Sequence, residues 1–264
     1  MEILIPVITL GVLGFIFGVG LSIASKKFAV TIDPRLEKIH GLLPGANCGA
    51  CGGAGCFGFA ESLLSGKLPP DACRVADEKN KEEIARILGK KIEKKTKKIA
   101  ALHCNAGKKV KNKYTYAGIK DCVAANSLMR GPKACAFGCI GFGTCVTVCP
   151  FGALSMSSEG LPVVDAAKCK ACNKCVNACP KKLFTLTAVN STVFVACSSH
   201  DSGKDTKAVC PVGCIACRLC EKACKFDAIH VTDNLAVIDY QKCTSCKECV
   251  KVCPCKTIQI REVK

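Results

Sequence analysis

The chain has 264 residues, 25 of them cysteine, with no Trp and 3 Tyr. So few aromatics cannot build an ordinary hydrophobic core, so covalent or metal staples must supply stability. The formal charge is +17, yet no nucleic-acid motif accompanies the lysines, which argues against nucleic acid as the partner.

Residues 3–25 carry no charge and are long enough to span a bilayer as one helix. Gly11, Gly14, Gly18 and Gly20 thin one side, and Gly14-x3-Gly18 is a small-residue packing motif. Pro6 and these glycines would bend a lone helix, which implies neighbouring membrane helices. A cleaved signal peptide would want positive charge before the apolar run; here Glu2 precedes it and Lys26 and Lys27 follow. The positive-inside rule then puts the rest of the chain in the cytoplasm, behind a retained anchor over 1–27. A reducing cytoplasm disfavours disulfides and turns the cysteines toward metal.

In residues 28–76, Cys48, Cys51, Cys56 and Cys73 form a C-x2-C-x4-C-x16-C set. Gly49, Gly52, Gly53 and Gly55 let the backbone turn and approach a bulky cofactor. A helix is expected over 57–65, ended by Pro69-Pro70. The set suits a [4Fe–4S] cluster, with a structural zinc knuckle as the rival. Residues 77–100 are lysine-rich, with Ile84, Ile87, Leu88 and Ile92 at helical spacing. They read as a solvated linker helix; Lys90, Lys91, Lys94, Lys95, Lys97 and Lys98 also offer a face to an acidic partner or an anionic leaflet.

Residues 101–195 contain Cys169, Cys172, Cys175 and Cys179-Pro180, the C-x2-C-x2-C-x3-C-P run of bacterial ferredoxins. Two-residue gaps let three thiolates converge on one cubane. The fourth cysteine is expected to open a helix, with Pro180 in its first turn, and to serve a second cluster. A zinc site usually takes two C-x2-C pairs with a longer gap between them. The preceding run is irregular: Cys139, Cys145 and Cys149-Pro150, with Phe142 where a cysteine belongs. Cys135 is the expected replacement. In the crossed scheme Cys149 joins Cys169, Cys172 and Cys175, and Cys179 joins Cys139 and Cys145. A β-hairpin is expected over 153–156 and 161–164.

Residues 196–264 repeat the plan with Cys214, Cys217, Cys220 and Cys224, then Cys243, Cys246, Cys249 and Cys253. The hairpin here turns at Asp233-Asn234. Cys104, Cys122, Cys197 and Cys210 remain; they make a sixth ligand set, or else Cys104, Cys122 and Cys135 group differently and Cys210 is spare. Cys255 reads as a free thiol, and His103 and His200 as hydrogen-bonding rather than ligating groups. The fold class is α+β: one transmembrane helix, a small Gly/Cys-rich iron–sulfur domain and two tandem two-cluster ferredoxin-like modules. Five to six [4Fe–4S] clusters are expected. Each adds about −2 of charge, so six would bring the formal +17 to roughly +5.

Anchor, LPGANCGACGGAGC segment and ferredoxin modules together resemble the B-type iron–sulfur component of the Rnf complex, the membrane-bound ferredoxin:NAD⁺ oxidoreductase. Similar Gly-rich domains occur in corrinoid iron–sulfur proteins, which lack the anchor. The doubled ferredoxin region is similar to the longer anaerobic form. The resemblance covers the whole chain and implies a cytoplasmic-membrane electron-relay subunit. Reduced soluble ferredoxin would be its donor, flavin-bearing subunits its acceptors, and Na⁺ or H⁺ the ion moved. Lys168, Lys170, Lys174, Lys242 and Lys247 would favour reduced clusters and attract an acidic ferredoxin. No G-x-G-x-x-G or Walker loop is present, so hydride chemistry would lie in partners. The alternatives are the ferredoxin-like subunit of another membrane redox complex, such as a hydrogenase, and a zinc-stabilised membrane adaptor.

Overall fold

The computed structural model describes residues 4–28, 33–92 and 96–261. Glu2 and two lysines of the basic run, Lys94 and Lys95, lie outside these. Helix α1 (Leu4–Lys27) is apolar all round, and its side chains touch little protein; Leu10 is 71% and Phe15 74% exposed. A helix with that surface suits hydrocarbon rather than water. By length and composition it could cross a membrane. Pro6 is the third described residue of α1.

Three helices build the next core. Helix α2 (Pro34–Leu42) starts with Pro34 at its first position, and the Asp33 carboxylate accepts the Arg35 N–H. Helix α3 (Gly55–Leu64) follows the glycine loop. Helix α4 (Glu78–Leu88) ends at Gly89, φ 65°, a left-handed cap that glycine adopts without strain. Leu36, Ile39, Phe59, Leu63 and Ile84 bury together, and the Asn80 amide donates to the Leu42 carbonyl at 2.8 Å. The expected solvated linker helix is therefore different in kind. Its Ile84, Ile87 and Leu88 belong to this core, and it stops at Leu88, short of Ile92.

Each ferredoxin module consists of an inner hairpin and an outer strand pair. In the first, β1 (Lys98–Leu102) pairs antiparallel with β4 (Phe184–Ala188), and β2 (Leu154–Met156) with β3 (Pro162–Val164). In the second, β5 (Val193–Val195) pairs with β8 (Ile258–Ile260), and β6 (Ile229–Thr232) with β7 (Leu235–Ile238). Asp233 and Asn234, φ 49° and 60°, make the tight turn between β6 and β7. Two boundaries move as a result. β1 begins inside the stretch expected to be linker. β5, expected in the first module, completes the second by hydrogen bonding to its last strand.

The modules are clipped together. His103 Nδ1 lies 2.7 Å from the Val195 carbonyl, and Nε2 lies 2.7 Å from Thr185 Oγ1. Burial holds the His103 pKa below the ordinary histidine value. From the second module, the Arg261 guanidinium donates to Thr187 Oγ1 at 3.0 Å and stacks over Phe194.

Candidate iron–sulfur sites

Among the described residues, six short helices lie in the modules: α5 (Cys122–Ser127), α6 (Thr144–Thr147), α7 (Lys174–Ala178), α8 (Gly203–Val209), α9 (Leu219–Ala223) and α10 (Glu248–Lys251). In α6, α7, α9 and α10 the second residue is a cysteine: Cys145, Cys175, Cys220 and Cys249. The expectation that the fourth cysteine of each run opens a helix is corrected. Cys179 and Cys224 are C-caps of α7 and α9, and Pro180 sits in the turn beyond. Closing the helix there turns the fourth thiol away from the first three.

The loops before these helices share one backbone shape. Ala171 and Asn173, Ala216 and Arg218, and Ser245 and Lys247 all have φ between 51° and 68°. Left-handed backbone costs a non-glycine residue about 1–2 kcal/mol. Six such residues at matching places mark a loop curled for a purpose, since strain of this kind clusters at functional sites. In the irregular run the same two places hold Gly141 and Gly143, φ 91° and 79°. The loop therefore keeps its shape although Phe142 replaces a cysteine.

Four small hollows lie inside these loops. One is lined by Cys149, Cys169, Cys172 and Cys175. A second is lined by Cys214, Cys217, Cys220 and Cys253. A third is lined by Cys224, Cys243, Cys246 and Cys249. These groups cross between runs in the ferredoxin manner. The fourth is lined by Cys122, Cys139, Cys145 and Cys179.

The last group differs from the expectation for Cys135. Cys122, rather than Cys135, lines this hollow, and a small network holds it there. Thr144 Oγ1 accepts the Cys122 N–H at 2.8 Å and donates to Asp121 Oδ2 at 2.7 Å. The other carboxylate oxygen of Asp121 caps α5 by accepting from Val123 and Ala124. These N–H and hydroxyl donors hold the Asp121 pKa below the usual carboxylate range. Phe142 stacks on Tyr116, 5.5 Å between ring centres, in the same loop that delivers Cys122.

Cys135 instead packs with Cys104 and Cys210 in a buried cluster between the modules. Burial raises the Cys210 thiol pKa, with Cys135 and Cys104 adding to it, and burial followed by Cys214 and Cys210 pushes Cys197 up to about 11. Cys197 thus lies near Cys210, which in turn lies near Cys104 and Cys135. Cys104 Sγ accepts the Cys139 N–H at 3.5 Å, and Cys197 Sγ accepts the Cys214 N–H at 3.4 Å. The two halves of this central set are related as the modules are.

In the first domain Cys48, Cys51, Cys56 and Cys73 meet around one core. Asn47 Oδ1 accepts the Cys56 N–H at 2.7 Å and so fixes the loop to the start of α3. A 3-10 turn, Pro70–Ala72, brings Cys73 back. Phe151 and Cys172 of the first module pack against this core, so two cysteine sites adjoin here.

All 25 cysteines are free thiols. Burial, then neighbouring cysteines, pushes Cys139 and Cys175 up to about 12, and Cys145, Cys220 and Cys249 up to about 11. Thiols so placed cannot ionise together unless a cation enters among them. Four sulfurs around each hollow, with backbone N–H groups aimed at sulfur, fit a [4Fe–4S] cluster. Ala153, Leu183, Ala228 and Thr257 donate to the Sγ of Cys149, Cys179, Cys224 and Cys253 at 3.3–3.5 Å. Cys255 lines the rim of the Cys214 cavity without belonging to its foursome.

Family models match along the chain: an Fe–S cluster family over 43–75, a 4Fe-4S dicluster domain over 138–184 and a 4Fe-4S binding domain over 236–259. The B-type component of the ion-translocating oxidoreductase complex of Methanosarcina acetivorans is 44% identical over 94% of this chain and 95% of its own. The chain belongs to the B-type component family of ion-translocating oxidoreductase (Rnf) complexes. Two further family members agree. That of the Na(+)-translocating ferredoxin:NAD(+) oxidoreductase of Acetobacterium woodii is 45% identical over 97% of this chain and 77% of its own. That of the proton-translocating complex of Clostridium ljungdahlii is 41% identical over 99% and 93%. Family membership makes the chain an iron–sulfur electron-relay subunit of a membrane-associated translocase.

Proposed function

We propose that this chain carries six [4Fe–4S] clusters as a one-electron relay between reduced ferredoxin and flavin-bearing partner subunits that pass electrons to NAD⁺. Na⁺ or H⁺ would be moved elsewhere in the complex. Helix α1 serves as a single-pass anchor, with the cluster domains on the cytoplasmic side. The four-cysteine domain runs through α4, the first module starts at Lys98 and the second at Val193. The ligand sets are the four cavity-lining groups, the Cys48 set, and the central set of Cys104, Cys135, Cys197 and Cys210.

One observation supports this reading most: the cysteine groups adjoin one another in series. The Cys48 set touches the first module at Cys172. Cys145 and Cys175, from different groups, lie close enough to oppose each other's ionisation. Cys139 and Cys214 each bond to the central set. When bound, the clusters supply sites that accept and release single electrons. The chain's own residues space these sites, donate N–H bonds to sulfur and shield most of the thiolates from water.

The test is anaerobic purification. Six clusters correspond to about 24 irons per chain. Reduced ferredoxin should bleach the broad absorbance near about 400 nm that such clusters give. Colourless protein holding stoichiometric zinc would refute the relay in favour of the adaptor.

A further inference from the structure

The spacing of the two modules equates Cys172 with Cys246 and Phe151 with Phe226. In the first module this face is covered: Phe151 and Cys172 pack on the core of the four-cysteine domain, and Cys48 lies beside Cys172. An iron–sulfur site is thereby seated directly against another. In the second module the same face is open. Phe226 is 47% exposed, and Cys217 and Cys246 are the exposed cysteines among the described residues. Phe226, Cys246 and Lys247 line one cavity with Cys224, Cys243 and Cys249.

The open face carries lysines at places of its own, while Lys170 and Lys174 of the covered face give way to Thr244 and Glu248. Lys225 and Lys247 stand where the first module has Pro150 and Asn173. Lys222, Lys225 and Lys247 form no ion pair among the described residues, whereas the nearby Asp227 and Glu248 are taken by Lys242 at 3.0 Å and Lys251 at 2.7 Å. Unpaired cations around an apolar centre favour an anionic partner and speed its encounter.

We propose that this face, centred on Phe226 and Cys246 and rimmed by Lys222, Lys225 and Lys247, docks a small acidic protein carrying its own iron–sulfur cluster. It would repeat between molecules the contact that the four-cysteine domain makes within this one. The proposal rests on the relay reading and adds where ferredoxin arrives. On docking, the partner's reduced cluster is oxidised by one electron, and the site of Cys224, Cys243, Cys246 and Cys249 is reduced by one. No bond or proton moves.

The test uses the full chain with clusters assembled anaerobically, and a bacterial two-[4Fe–4S] ferredoxin as the probe. Binding is measured by calorimetry. The double variant Lys225→Glu/Lys247→Glu should weaken binding roughly tenfold or more at about 50 mM salt, and the difference should shrink at about 500 mM as charges are screened. Phe226→Ala should weaken binding at both salts. Lys109→Glu/Lys111→Glu, an equal change of charge elsewhere, should have a much smaller effect. Binding is referred to the iron content measured alongside, so that a change in cluster loading is not read as a change in docking. Unchanged affinity in the first two variants overturns the docking face while leaving the relay intact. So does loss of a partner subunit of the complex in place of ferredoxin. Ferredoxin that neither binds nor reduces the unaltered chain overturns the relay reading together with this face.

Discussion

Phe142 shows how a missing ligand can be replaced from a distance. Its loop keeps the left-handed turns at Gly141 and Gly143, so the backbone still wraps a cavity. In the proposed ligand set the fourth sulfur is that of Cys122, pinned by Thr144 and Asp121. Cys122→Ser and Cys139→Ser should therefore each cost one cluster's worth of iron, and the double variant should cost no more than either alone. Cys122→Ser with Cys135→Ser should instead cost two clusters. Iron and sulfide counts on anaerobic protein check this; additive loss in the first pair would remove Cys122 from that site. The regular runs were legible in sequence because their spacing is itself the ligand geometry. Cys122 was not, because it lies far before Cys139 and is tied to Thr144, beside Cys145, through a hydroxyl–carboxylate network that has no spacing signature.

Hairpins and helices differ in how far their sequences announce them, for physical reasons. The Asp233-Asn234 turn carries its conformation locally and marks its hairpin in advance. β5 has no local signal of its partner, since its pairing with β8 is a long-range choice. Helix α4 looks solvated because its lysines and glutamates outnumber its apolar residues, yet Ile84 is wholly buried. In the glycine loop, a Cβ on Gly53 would come within 2.8 Å of the Phe59 backbone, and Gly55 holds φ 85° beside Asn47. Gly53→Ala should destabilise the four-cysteine domain by about 1–3 kcal/mol, because backbone must shift to admit the methyl. Faster loss of that domain's cluster to a chelator, with the ferredoxin modules unaffected, is the expected readout; wild-type retention would mean that the loop yields freely.

Across the whole molecule, the cysteine groups run from a covered end to an open one. The four-cysteine domain lies against the first module, the central set lies between the modules, and the second module faces outward. Duplication supplied two copies of a docking face, of which one is used within the chain. The interleaving of β5 and the clips at His103 and Arg261 hold the modules as neighbours, which a relay of short steps requires.

The two thiols that face solvent, Cys217 and Cys246, both belong to the second module. Attack by dioxygen follows thiolate exposure. Brief aeration should thus dismantle the two sites of the second module first, and leave for last the central set, in which Cys104, Cys135 and Cys210 are buried. Mössbauer spectra taken at intervals would follow the order of decay, and simultaneous decay of every site would show that exposure of these two sulfurs does not govern the damage.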